Sequence, residues 1–193
     1  MSPGRVAVIK MSALGDIAKS IPAVRAIRET HPTCAMAWLV RPVWADLLVG
    51  NPDIDRIIPV GRSLRGLIWA MVALRRFRPE TVLDMQGLFA SGLLSLASGA
   101  TTRFTWASGR ELSGLLTGNP VVPGPTRLNV AECNFGFARL LGATRLPQDP
   151  PAYLAADGPA RLRVREALGG LAWPLVGMHV GASEPNKRWP VER

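Results

Sequence analysis

The chain alternates short, continuously apolar runs with stretches of helical periodicity, and that alternation admits few folds. Val6–Met11, Ala35–Val40, Arg56–Val60, Thr81–Met85 and Arg103–Trp106 read as strands, with a weaker one at Pro120–Val122. Most lack polar alternation, as strands covered on both faces do. Helical patterns lie between them, at Pro22–Thr30, Pro42–Val49, Leu64–Phe77, Gly87–Ser98 and Asn129–Leu141. Pro22 and Pro42 suit first-turn positions, where a missing N–H costs nothing, and Gly142 suits a helix stop. Strands separated by helices pair in parallel, so the expected class is α/β.

The texture changes at Pro147–Pro151, where three prolines in five residues mark a linker. Residues 1–150 are read as one domain and 151–193 as the start of another. A helix at Pro159–Leu168 and a strand at Leu175–His179 open a fresh unit, and Trp189–Arg193 has a helix-start signature. A lone strand with an unfinished helix cannot bury its own apolar surface. The expectation is a chain cut within its second domain.

Charge narrows the partners. Lys and Arg number 23 against 14 Asp and Glu, a formal net charge of +9. Lysine stands only at Lys10, Lys19 and Lys187, so the cations are almost all arginine. That balance favours anionic partners, and arginine forks onto phosphate and carboxylate, although a GC-rich genome produces the same bias. Aromatic residues amount to 6% with a single Tyr, which argues against a nucleic-acid binder. No stretch reaches the roughly 18 apolar residues of a spanning helix, and the opening residues lack a signal peptide. Cys34 and Cys133 are spaced as neither disulfide nor metal ligands. A cytoplasmic protein with two buried thiols is expected.

Lys10-Met11-Ser12-Ala13-Leu14-Gly15-Asp16 follows the first strand, at the sheet edge where open α/β folds bind ligands. Gly15 admits a close approach, and Asp16 can accept a proton from a hydroxyl. A helix cap at Asp16 and a tight turn at Gly15 fit the same residues. The Gly-x-Gly-x-x-Gly fingerprint and the Gly-Lys-Ser/Thr phosphate loop are both absent. Asp53-Ile54-Asp55 spells a metal-binding Asp-x-Asp, yet it precedes a strand, on the amino-terminal side and away from Asp16. It reads as a loop, and no metal site is assigned.

Val8-Ile9-Lys10-Met11-Ser12-Ala13-Leu14-Gly15-Asp16 and Ile21-Pro22-Ala23-Val24-Arg25-Ala26 resemble the amino terminus of family 9 glycosyltransferases. The best-known members of that family are ADP-heptose:lipopolysaccharide heptosyltransferases. Thr81-Val82-Leu83-Asp84-Met85-Gln86-Gly87-Leu88 is similar to the family's Asp-x-Gln-Gly-Leu turn, and Trp106 with Gly109-Arg110-Glu111 to its next segment. His179-Val180-Gly181-Ala182-Ser183 and Asn186-Lys187-Arg188-Trp189-Pro190 resemble its entry into the nucleotide domain. The order is kept over nearly the whole chain.

The resemblance implies two facing Rossmann-like domains, the GT-B arrangement, and sugar transfer with inversion from a nucleotide-diphosphate donor. ADP-heptose is the implied donor and a lipopolysaccharide-core-like glycolipid the implied acceptor; no cofactor is implied. Asp16 matches the family's base. Lys187, with Ser183 and Gly181, matches its donor-phosphate contacts. Gln86 and Gly15 are candidate acceptor contacts, with a plain turn as the other reading of Gln86. Arg110, after another strand end, can pair with an acceptor carboxylate or phosphate. Where the family often has histidine this chain has Asn129, and that helix is left out of the site. As a fragment, the chain is expected to be inactive alone. The alternative is a noncatalytic nucleotide- or anion-binding module.

Residues 61–78 carry Arg62, Arg65, Arg75, Arg76 and Arg78 and no acid, with Leu64, Leu67, Ile68, Met71 and Val72 at helical spacing. Two readings stay open. Arg62 and Arg65 help seat an acidic lipid-linked acceptor, with peripheral contact on the inner membrane, or the apolar stripe packs on the sheet and the arginines are solvated.

Overall fold

The structure is a computed structural model and describes residues 3–107, 116, 120–123, 129–147 and 158–169. The expected strands form, as β1 (Arg5–Ile9), β2 (Ala35–Val40), β3 (Arg56–Pro59), β4 (Thr81–Asp84), β5 (Thr102–Trp106) and β6 (Pro120–Val122). They make one sheet in the order β3-β2-β1-β4-β5-β6, and every pairing is parallel. The chain leaves β1 in one direction and returns at β4 in the other, so the topological switch point lies between these two central strands.

Helices cover both faces. On one lie α1 (Leu14–Ala18), α2 (Ile21–Thr30), a 3-10 turn at Pro42–Leu47, and α5 (Val130–Leu140). Ile17, Val24, Ile27 and Phe137 pack there with Val8, Trp38 and Leu83 of the sheet. Trp106 and Phe137 meet edge to face, with ring centroids 4.7 Å apart. On the other face α3 (Leu64–Phe77) and α4 (Phe89–Ala97) seal Ala7, Ile9, Leu39 and Val82 with Ala70, Leu74, Phe77 and Leu94. Burying β1, β2 and β4 on both sides is what requires their uninterrupted apolar sequence.

Local chemistry sets the helix ends. Ser63 caps α3 through its side chain, accepting from the Gly66 N–H at 3.1 Å, and Asn129 caps α5 at the Ala131 N–H. Asn129 is therefore a capping residue here. The Asp-x-Asp loop is occupied structurally, with Asp53 held by Arg25 at 2.8 Å and Asp55 by Arg28 at 2.7 Å. Cys34 and Cys133 are free and buried.

The chain divides into two compact units, Met1–Ala155 and Ala156–Arg193. In the second the described element is α6 (Gly158–Leu168). The strand expected at Leu175–His179 lies outside the described residues, as do Arg110, Gly181, Ser183 and Lys187.

Candidate active site

β1 and β4 run side by side, with Ile9 opposite Asp84, and so deliver Lys10–Asp16 and Met85–Leu88 to the same edge of the switch point. Gln86 joins them. Its Oε1 accepts the Met11 N–H at 2.9 Å and the Ser12 N–H at 3.2 Å. The turn residue of β4 thus ties down the β1 loop across the switch point, and its amide oxygen is engaged in that clamp. The Ser12–Ala13 peptide is cis.

The β4 turn is fixed from below by Asp84, which is fully buried. Its Oδ1 accepts the N–H groups of Gln86 at 3.1 Å and Gly87 at 2.9 Å, and its Oδ2 lies 3.0 Å from Ser91 Oγ. Burial pushes this carboxyl up to about 6, against the pull of the Gly87 N–H, Ser91, the Gln86 N–H and Lys10. Gly87 has φ +68, and a Cβ there would stand 2.8 Å from Trp106 Cδ1. Glycine is needed twice over, for the left-handed backbone and for the indole beneath it.

Lys10 is also buried, and its Nζ donates to Met85 O at 3.0 Å. The same carbonyl accepts Trp106 Nε1 at 2.9 Å, while Trp38 Nε1 donates to Lys10 O at 3.0 Å. Desolvation lowers the Lys10 pKa, and attraction by Asp16 and Asp84 opposes it. A buried cation between two carboxylates thus ties the two loops electrostatically as well as by hydrogen bonds. Arg41 does the corresponding job toward β3. Its N–H donates to Met11 O, and its guanidinium donates to Val60 O at 3.0 Å and Gly61 O at 2.8 Å. Burial first, then the neighbouring Arg62, lowers its pKa.

Asp16 stands above this framework, exposed in the first turn of α1. It is not the cap of that helix; the N-cap position is Ala13, which makes no side-chain cap bond. The carboxylate is left facing solvent while its backbone is braced. Asp16 O accepts from Ser20 Oγ at 2.8 Å, and Ser20 Oγ accepts from Asn134 Nδ2 at 2.9 Å. Asn134 also donates to Lys19 O at 3.3 Å, so α5, left out of the site on the sequence because of Asn129, supports the Asp16 turn from beneath. Gly15 sits in open space, with nothing within 4 Å of a Cβ built on it, and it is not a left-handed turn residue.

Of the residues singled out from sequence, the structure brings Asp16, Gly15 and Gln86 to one crevice. Arg62 and Arg65 are exposed at the start of α3, on the same carboxyl-terminal sheet edge. Sequence reading missed three supporting groups, Lys10, Asp84 and Arg41. Lys10 carried a signal in being a rare lysine at the end of a buried strand. Asp84 carried one in preceding a Gln-Gly turn whose N–H groups need an acceptor.

The sequence profile of glycosyltransferase family 9 (heptosyltransferase) matches residues 70–193. The chain belongs to this family. Among family 9 relatives, the lipopolysaccharide core heptosyltransferase OpsX of Haemophilus influenzae is 25% identical over 147 residues, 75% of this chain and 42% of that protein. Lipopolysaccharide heptosyltransferase 1 of Pseudomonas aeruginosa is 31% identical over 108 residues, 50% of this chain and 30% of that protein. In three dimensions the chain resembles the family 9 protein of Veillonella parvula with a TM-score of 0.81 at 18% identity, over 97% of this chain and 56% of that one. It resembles E. coli heptosyltransferase WaaC, solved with ADP, with a TM-score of 0.66 at 23% identity, over 77% and 50%. These likenesses establish the Rossmann-like α/β fold. The chain spans about half the length, or less, of these relatives.

Proposed function

We propose that this chain forms the acceptor-side part of an inverting heptosyltransferase in which Asp16 is the general base. The observation that carries this reading is a solvent-facing carboxylate at the switch point, on loops held rigid by Gln86, Asp84 and Lys10. The acceptor hydroxyl attacks the anomeric carbon and its proton passes to Asp16 as the bond to the nucleotide diphosphate breaks. The transfer comes late, because the hydroxyl proton becomes acidic only as the new C–O bond forms.

The donor we propose is ADP-heptose, on the strength of family membership and of WaaC having been solved with ADP and with ADP-2-deoxy-2-fluoro heptose. Lys187 would place its charge on the departing diphosphate, with Ser183 and the N–H groups from Gly181 adding hydrogen bonds. The acceptor is a lipopolysaccharide-core-like glycolipid, whose anionic groups Arg62, Arg65 and Arg110 would meet, and the reaction takes place on the cytoplasmic side of the membrane.

The test is transfer from ADP-heptose to a deacylated core acceptor by the protein extended to the length of its relatives, beside Asp16→Asn. Loss of about 10²–10⁴-fold in kcat with donor affinity kept is the expected result. Full turnover in the variant removes Asp16 from its role. Absence of transfer from any of a panel of nucleotide sugars, with nucleotide still bound, favours a noncatalytic binding module instead.

A further inference from the structure

Helix α3 is apolar on the side where a surface helix should be polar. Ala70, Ala73, Leu74 and Phe77 face the core, as a helix packed on a sheet requires. Of the apolar stripe read in the spacing, Leu67 and Met71 lie at the margin of that core, whereas Leu64, Ile68 and Val72 point outward, joined by Trp69. Their exposures are 73%, 50%, 45% and 55%, and the polar residues interleaved with them are Arg65, Arg75 and Arg76. Beside α3, helix α4 carries no charged residue and exposes Leu96. An apolar face of this kind marks an interaction surface.

The charge around it is one-sided. From Arg56 to Arg110 the sequence holds eight arginines against two carboxylates, Glu80 and Asp84. Asp84 is buried under the crevice, and Glu80 accepts from the Gly4 N–H at 2.9 Å. Among the described residues the ion pairs all lie on the opposite face, between Arg25 and Glu29 or Asp53 and between Arg28 and Asp55. Arg62, Arg65, Arg75, Arg76 and Arg78 have no carboxylate partner there. At the end of α3 an open pocket of about 480 Å³ is lined by Val72 and four arginines, Arg5, Arg75, Arg76 and Arg78. Two of these spend single donors on carbonyls, Arg5 on Phe77 O and Arg75 on Ala97 O, which leaves most of their N–H groups available.

We propose that the outer face of α3, with its arginine pocket, docks this protein on an anionic phospholipid bilayer. A second copy of the same face would set arginine against arginine with no acid between them. A bilayer supplies both missing halves, acyl chains for Leu64, Ile68 and Val72 and phosphates for the guanidinium groups, and Trp69 suits the boundary between them. Among the described residues no helix is long and apolar enough to cross a membrane, so the contact is peripheral. α3 starts at the carboxyl-terminal edge of the sheet, with Arg62 and Arg65, and ends at the opposite edge, with the pocket. Lying flat, it would bring the Asp16 edge alongside the headgroups.

This inference is read out without donor or acceptor, so its failure leaves the transfer reaction untouched. Co-flotation of the 193-residue chain with phosphatidylglycerol-rich vesicles and with pure phosphatidylcholine vesicles tests it. Binding to the first and not the second is expected, and high salt should weaken it. Arg75→Gln with Arg76→Gln should weaken partitioning about thirtyfold, the equivalent of about 2 kcal/mol. Ile68→Ser with Trp69→Ser should abolish it while the circular dichroism spectrum is kept, since both side chains are solvent-facing. Equal binding to neutral vesicles, or unchanged binding by both double variants, overturns the proposal. So does a dimer in sedimentation that Ile68→Ser with Trp69→Ser dissolves, or release of the chain by soluble glycerophosphate alone.

Discussion

Asp84 offers a direct test of how the site is built, because its ionisation is coupled to the turn that carries Gln86. Burial lifts its pKa from 3.8 to about 6 in the folded chain. A shift of roughly two units corresponds to about 3 kcal/mol. The folded state holds the proton more tightly than the unfolded chain, so this stability is fully present below the unfolded pKa. It drains away as pH rises toward and through about 6. Between about pH 4 and 7.5 most of it, about 2 kcal/mol, should be lost. The geometry gives the proton a place. Ser91 Oγ has one hydrogen and two acceptors, Leu88 O at 2.7 Å and Asp84 Oδ2 at 3.0 Å. If the hydroxyl serves Leu88 O, a protonated Asp84 can donate to Ser91 Oγ and leave no lone pair facing lone pair. Asparagine reproduces that neutral state, with Oδ1 accepting from Gln86 and Gly87 and Nδ2 donating to Ser91. Urea unfolding of wild type and Asp84→Asn, followed by circular dichroism at both pH values, isolates the effect. The attraction to Lys10 acts only on the ionised carboxylate and is already contained in the raised pKa. The stability difference should move by about 2 kcal/mol in favour of the variant on going to the higher pH. Parallel pH dependence in the two proteins would refute the buried titration, and with it the balance between desolvation and hydrogen bonding inferred for this turn.

Two further outcomes follow from the crevice. Gly87→Ala should destabilise the chain by about 2–4 kcal/mol, from a left-handed backbone carrying a Cβ and from overlap with Trp106, measured as a lower urea midpoint. Gln86→Ala strips an acceptor from the Met11 and Ser12 N–H groups. It should cost about 2–4 kcal/mol, and Gln86→Glu, which restores an acceptor, should recover most of that loss in the same unfolding assay.

The site was less legible than the fold, and the reason is range. Val6–Ile9, Ala35–Val40 and Thr81–Asp84 announce themselves because each must be apolar at every position to sit between two helical layers. Turn residues at element ends, such as Ser63 and Pro42, act within a few positions of themselves and can be read locally. The short helix α1 is not announced in this way. Its five residues hold a single buried side chain, Ile17, which is too little to set a period.

The parallel α/β layers, the position of Asp16 after the first strand and the surplus of arginine can all be read from the order of residues. Tertiary structure decided what those residues face. Gln86 meets Met11 and Ser12 across 74 or 75 positions, and Lys10 meets Met85 across 75, because β1 and β4 are neighbours at the switch point. Helix α3 shows the same division. Its spacing put Leu64, Ile68 and Val72 on one stripe, but a helix apolar around most of its circumference carries no record of which side meets the sheet. Packing against β3 and α4 made that choice, and it left an apolar, arginine-studded face toward solvent.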